Sequence, residues 1–233
     1  MSIFAIADLH LSFKVDKPMN IFGLNWESHE EKIKSNWIEK VNREDTVIIP
    51  GDFSWATYLN EAKEDFEFLN SLPGKKILSK GNHDYWWTTV SKMKNFLKEN
   101  NFEQIDFLYN NSFLAEDKII VGAKGWVTNI KSKENLKILK RENLRLEFSI
   151  IDGIKKFGND KEIIAFLHYP PFFKEQADTE VDLINTLKKY NIKKCYYGHL
   201  HGDSHKEAIE GIVDGIYYKL ISSDYLDFDL IKI

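Results

Sequence analysis

Five short apolar runs in this chain stop at the same kind of residue, and that repetition constrains the fold more than any other feature. The breaks are Asp8-Leu9-His10, Gly51-Asp52, Gly81-Asn82-His83-Asp84, His168 and Gly198-His199-Leu200-His201. Five of the seven histidines lie in them, whereas histidines serving as surface filler would be scattered. A short apolar run bounded by turn residues reads as a buried strand. In an open α/β sheet, ligands bind beyond the carboxyl ends of the strands. Loops from five strands can therefore converge on one site while their sequence positions stay far apart.

The intervening segments fit alternating strands and helices. Strands are expected at residues 2–7, 46–49, 76–80, 118–122, 162–167 and 194–197, with one or two more around Asn110-Asn111. Residues 207–233 read as short strands turning at Asp214-Gly215. Helices are expected at 30–41, with Ile33, Trp37, Ile38 and Val41 on one face, and at 58–69, 89–98, 132 to about 150, and 180–190. Residues 11–28 form an aromatic-bearing connection longer than ordinary loops, as functional loops often are. It either lids the site or covers a sheet edge. Neither a linker nor an internal repeat interrupts the chain, so residues 1–233 are expected to form a single domain.

Composition narrows the class. Hydrophobic residues at 43% describe a packed globule rather than a disordered chain. No apolar run approaches the roughly 20 residues of a membrane span. Residues 1–8 lack the basic start of a signal peptide and read as a core strand. The one cysteine, Cys195, sits in an apolar run and has no internal partner, which favours the cytoplasm. A formal charge of -4 provides no basic field for nucleic acid and argues against such a partner. Nothing in the sequence sets an oligomeric state.

The breaks carry seven metal-donor residues: Asp8, His10, Asp52, Asn82, His168, His199 and His201. Carboxylate and imidazole without thiolate suit Mn, Fe or Zn, and the choice among them stays open. Seven donors exceed what one tetrahedral ion uses, while two transition-metal ions sharing a carboxylate would use them well. Asp-x-His and His-x-His spacing lets alternate side chains point the same way near a strand end. Gly81 allows a sharp backbone turn beside Asn82 and His83.

Taken in order, Asp8-x-His10, Gly51-Asp52, Gly81-Asn82-His83-Asp84, His168 and Gly198-His199-x-His201 resemble the calcineurin-like metallophosphoesterases. The resemblance implies a four-layer αββα sandwich, two mixed sheets flanked by helices, with a dinuclear metal site at one edge. It assigns Asp8, His10 and His201 to one metal and Asn82, His168 and His199 to the other, with Asp52 bridging. His83 would lie beside the phosphate without binding metal. The implied reaction hydrolyses a phosphomonoester or phosphodiester of a small molecule or nucleotide. A hydroxide bridging the ions attacks phosphorus in line, and His83 is the expected general acid. The protein Ser/Thr phosphatase branch continues its Gly-Asp motif into Asp-Arg-Gly. This chain instead has Phe53-Ser54-Trp55-Ala56, which places it closer to the small bacterial phosphohydrolases.

Several residues have competing readings. Asp84 either orients His83 or, as the favoured expectation, caps the following helix. Trp86 and Trp87 are expected in the core rather than as a stacking platform. Lys80 and Lys124 either touch substrate phosphate or are solvated. His29 and His205 are expected at the surface or behind the donors. Alternatives to the hydrolase are a nuclease or cyclic-nucleotide phosphodiesterase using the same residues, and an inactive interaction scaffold.

Overall fold

Strands buried on both faces need cover on both faces, and this chain supplies it by packing two sheets against each other and helices outside them. A computed structural model of the protein describes residues 1–126, 133–172 and 182–233. The first sheet contains β1 (Ile3–Ala5), β2 (Thr46–Pro50), β3 (Lys75–Ser79) and β4 (Ile105–Phe107), parallel neighbours in that order. The strand β11 (Ile231–Lys232) pairs antiparallel with β1 at the edge. The second sheet draws on β5 (Phe113–Ala115), β6 (Lys118–Ala123), β7 (Ile163–Leu167), β8 (Lys194–Tyr197), β9 (Gly211–Val213) and β10 (Ile216–Leu220). Its order is β5-β6-β7-β8-β10-β9, with only the edge strands β5 and β9 antiparallel to their neighbours. Both sheets are mixed, as the expected fold requires.

Alternation along each strand sorts the side chains into layers. Ile3, Ala5, Ile48, Ile77, Ile120, Ile164 and Phe166 form the core between the sheets. Phe4, Val47 and Ile49 point the other way, toward α1 (His29–Lys40), α2 (Lys63–Ser71) and α3 (Val90–Glu99). Val121, Ala165 and Leu167 likewise face α4 (Lys133–Phe157) and α5 (Asp182–Lys189). The result is the αββα sandwich.

Helix boundaries depart from expectation for local reasons. The helix expected from residue 58 begins at Lys63, because the Glu61 carboxylate accepts the Thr57 and Tyr58 amides at 3.1 and 3.0 Å and holds them in a turn. The helix expected to end near 150 runs to Phe157. Gly153 lets it lie close to the sheet: an added Cβ would sit 2.5 Å from Ile119 Cγ2. Ser132 and residues 180–181, expected within helices, fall outside the described residues. Trp86 and Trp87 are buried against Phe53, Phe66 and Phe107, as core packing requires. Among the described residues, no helix is long and apolar enough to cross a membrane.

Candidate metal centre

Every donor singled out in the sequence lies just past the carboxyl end of a strand: Asp8 and His10 after β1, Asp52 after β2, Asn82 after β3, His168 after β7, His199 and His201 after β8. The sandwich brings these loops together at one edge. There the continuation of β1 bridges the continuation of β10 at Ala7 and Ser222, linking the two sheets. Residues 8–11 then run beside 51–54, with amide-to-carbonyl bonds of 3.0 Å from His10 to Asp52 and from Leu11 to Phe53.

Two clusters emerge whose donor atoms lie within 4.8 Å of one another, Asp8–His10–His201 and Asp52–His168–His199. The Nε2 atoms of His10 and His201 are 3.3 Å apart. His168 Nε2 is 2.6 Å from Asn82 Oδ1. Asp52 Oδ2 reaches toward both clusters, 3.8 Å from His10 Nε2 and 3.5 Å from His168 Nε2. His83 stands at the rim. Its amide donates to Asp52 Oδ1 at 2.8 Å, and its ring packs on Trp55 with centroids 4.4 Å apart.

The ring orientations suit a cation. His168 Nδ1 faces the Pro50 carbonyl at 3.2 Å, and His201 Nδ1 faces Asp224 Oδ1 at 2.8 Å. With the proton engaged at Nδ1, each ring turns the Nε2 lone pair inward, the arrangement typical of metal-binding histidines. Asp8 Oδ1 is buried without a hydrogen-bond partner, a costly condition that a metal ion would relieve. The residues present therefore fit one or two transition-metal ions.

The backbone around these donors is strained and locked. Asp8, His10, Asp52 and His199 all adopt left-handed conformations, with φ of 60°, 48°, 51° and 76°. Each such non-glycine residue costs about 1–2 kcal/mol. Gly198 is required by close approach, since a Cβ there would meet Asp8 Oδ2 at 2.4 Å. Gly81 is required for the same reason rather than for a sharp turn: its Cβ would fall 2.0 Å from Asp52 Oδ1.

Asp84 corrects one expectation. It does not cap α3; Thr89 does, its hydroxyl accepting the Lys92 amide at 3.4 Å. The buried Asp84 carboxylate instead accepts the amides of Gly81, Asp52, Phe53 and Ser54 at 2.7–3.3 Å, and the Trp86 indole N–H at 3.0 Å. It clamps the loop after β2 to the loop after β3. Sequence reasoning misses Asp224. Its signal is a sixth break, Ser222-Ser223-Asp224 after β10, which contains no histidine. His205 Nε2 lies 3.3 Å from the other Asp224 oxygen, and buried His29 packs on Trp26, which touches both His10 and His201.

Without a cation, this cluster favours neutral groups. Burial pushes the Asp8 carboxyl up to about 6, and burial with the nearby Asp84 and Asp8 charges raises Asp52 well above the carboxylate range. Burial and neighbouring histidines hold His10 and His168 well below the ordinary imidazole value and His199 down to about 4. Those rings keep their lone pairs free at neutral pH. For His201, burial acts downward, but the Asp224 hydrogen bond and the Asp8 and Asp224 charges outweigh it and raise the ring.

Known proteins carry the same architecture. A protein of unknown function, AQ665 from Aquifex aeolicus, shares 21% identity at a TM-score of 0.52, covering 99% of this chain and 95% of its own. The phosphopantetheinyl hydrolase PptH from Mycobacterium tuberculosis shares 13% at 0.55, covering 100% and 95%. TT1561 from Thermus thermophilus shares 10% at 0.58, covering 99% and 97%. At these identities the likeness concerns the fold. No curated protein matches the chain. The family model described as calcineurin-like phosphoesterase matches residues 1–203, and the chain belongs to that family.

Proposed function

We propose that the chain is a metal-dependent hydrolase of a small-molecule or nucleotide phosphoester, acting through a dinuclear centre. The observation that carries this reading is the convergence of Asp8, His10 and His201 with Asp52, His168 and His199, Asp52 lying between the two clusters. Asn82 completes the second set, and the metals would be Mn, Fe or Zn. Such ions, when bound, neutralise phosphoryl oxygens and acidify water at neutral pH.

The chain's own groups supply the rest. His83 lies beside the donors and is the proton donor to the departing oxygen. Burial, with His201 and Lys17 nearby, lowers its ring below the ordinary value, while an arriving phosphate would act in the opposite direction. A cleft of about 770 Å³ opens over His10, His83 and His201, walled by Lys17, Phe22, Trp26, Trp55 and Tyr85. Its aromatic lining suits a leaving group with a planar or apolar body. From the 11–28 loop, Trp26 is buried behind the donors, while Phe22 stands exposed at the rim.

Phe53 is buried against Phe66 and offers no cation where the protein-phosphatase motif continues, so protein substrates are disfavoured. Convergence of the whole donor set speaks against an inactive scaffold. Both sheets contribute donors, so residues 1–233 are taken as one functional domain. A buried free thiol at Cys195 accords with a cytoplasmic location. The test is a panel of phosphomonoesters and phosphodiesters on metal-analysed protein, with Asp52→Asn as control. Hydrolysis of at least one ester class that collapses in the variant is expected. Metal-free isolation with no hydrolysis under any added metal would overturn the reading.

A further inference from the structure

A second recess, of about 120 Å³, opens at the same edge of the sandwich and holds an unusual charge balance. Lys80 follows β3, Tyr109 follows β4, Lys124 follows β6, and α4 contributes Arg141, Glu142 and Arg145. Four cationic side chains thus face one carboxylate, on a chain whose formal charge is -4. Glu142 is buried and already shared, 3.4 Å from Arg141 Nε and 3.3 Å from Arg145 Nε. Among the described residues, neither Lys80 nor Lys124 forms an ion pair with a carboxylate.

The cations are also held in place. The Arg145 guanidinium lies over the Tyr109 ring at 4.5 Å, and Lys124 Nζ lies over Trp126 at 4.5 Å and Tyr169 at 5.4 Å. Arg145 Nε is buried, and its 3.3 Å approach to Glu142 Oε1 lacks hydrogen-bond geometry. Crowding of this kind costs free energy that a bound anion would remove. The recess adjoins the metal centre: the Lys124 carbonyl accepts the His168 and Tyr169 amides at 3.1 and 2.9 Å.

We propose that this recess is a phosphate-binding site distinct from the metal centre, with Lys80, Lys124, Arg141 and Arg145 as its ligands. Planar guanidinium forks and lysine point charges together match the several acceptor oxygens and double charge of a phosphate. The occupant is either a second phosphate group of the substrate or free phosphate. The anion site stands by itself; only its role in substrate choice rests on the phosphoesterase reading.

The experiment titrates inorganic phosphate into the chelated, metal-free protein, followed by calorimetry and by tryptophan emission, since Trp126 underlies Lys124. Saturable binding that weakens with salt is expected. Lys80→Ala with Arg141→Ala should weaken it about tenfold per cation removed. Lys80→Arg with Arg141→Lys should retain it. Neither position packs in the core, and Arg141 is exposed, so folding is not at stake. Absence of saturation in the native protein, or native-like binding by the double alanine variant, would overturn the proposal. Two kinetic arms on metal-loaded protein separate the sources. A second substrate phosphate predicts that the alanine pair raises KM for a nucleoside diphosphate and not for a monophosphate. Free phosphate predicts that added phosphate alters p-nitrophenyl phosphate turnover in native protein beyond product inhibition at the metal centre, and that the variant keeps only the product inhibition. Failure to hydrolyse any ester would remove the phosphoesterase reading while leaving the binding result intact.

Discussion

Replacing Asp224 by Asn is the most discriminating perturbation of the centre, because it changes charge with almost no change of shape. Asp224 Oδ1 accepts from His201 Nδ1 at 2.8 Å, and Oδ2 accepts from the Gly202 amide at 3.1 Å. An amide can satisfy only one of them. If its oxygen faces His201, its NH2 opposes the Gly202 N–H, donor against donor. If its NH2 faces His201, the imidazole proton must shift to Nε2, which blocks the lone pair pointing at the centre. Either outcome removes a charge-assisted hydrogen bond worth about 1.5–3 kcal/mol. Loss of a carboxylate behind a ligating histidine typically lowers metal affinity 10–100-fold, about 1.4–2.7 kcal/mol, and the two magnitudes agree. The assay is a competition titration of metal-free protein with Mn and Zn, native against variant, with thermal unfolding as a check on folding. The deficit should be larger at pH 8 than at pH 6. Asp224 raises the His201 ring, so protons compete with metal in the native protein at low pH, and that competition weakens in the variant. Metal affinity within about twofold of native at pH 8 would refute the assignment of His201 as a ligand oriented by Asp224.

Further outcomes are expected. His83→Ala should slow esters with alkoxide leaving groups more than activated aryl esters in steady-state assays; equal slowing would remove its role as acid. Gly198→Ala should abolish metal uptake, because its Cβ would lie 2.4 Å from Asp8 Oδ2, and metal analysis of the purified variant checks this. Lys76 is fully buried and its ammonium donates to the Leu72 carbonyl, with burial lowering its pKa to about 8. At Lys76 the unfolded chain therefore binds more protons than the native one above pH 8, so this residue's contribution to stability grows with pH from about 8 toward the ordinary lysine range, while buried Cys195, whose thiol is pushed up, acts in the opposite direction. Lys76→Met should remove that contribution and shift the denaturant midpoint upward, by more at pH 8 than at pH 10, with native and variant compared side by side. Metal uptake should release protons and weaken as pH falls through about 6, where the Asp8 carboxyl takes one up, and titrations in buffers of different ionisation enthalpy measure this.

What can be read from the sequence depends on how local its cause is. The donors stand out because each follows directly on a strand, so apolar run and polar break are adjacent in the chain. Layer order follows from strands apolar on both faces. Asp84 misleads because its partners are amides of residues 52–54, reached only when β2 and β3 lie side by side. A short acidic residue ahead of a helix looks like a cap whatever it binds. Arg141 and Arg145 do not stand out in the sequence because their companions, Lys80 and Lys124, come from different strands of different sheets. Gly81 stands out in the sequence for the wrong reason: the constraint is the neighbouring carboxylate, not the backbone angle.

The bridge between Ala7 and Ser222 has a mechanical consequence. The sandwich is bound along one side like the spine of a book, and the loops that carry the donor residues sit in the binding. Breathing motions that part the two leaves must therefore begin at the opposite margin, and the spine parts last. Amide protons at Ala7 and Ser223 should outlast those of the outer strands in exchange, so that the donor cluster stays assembled through partial opening of the leaves.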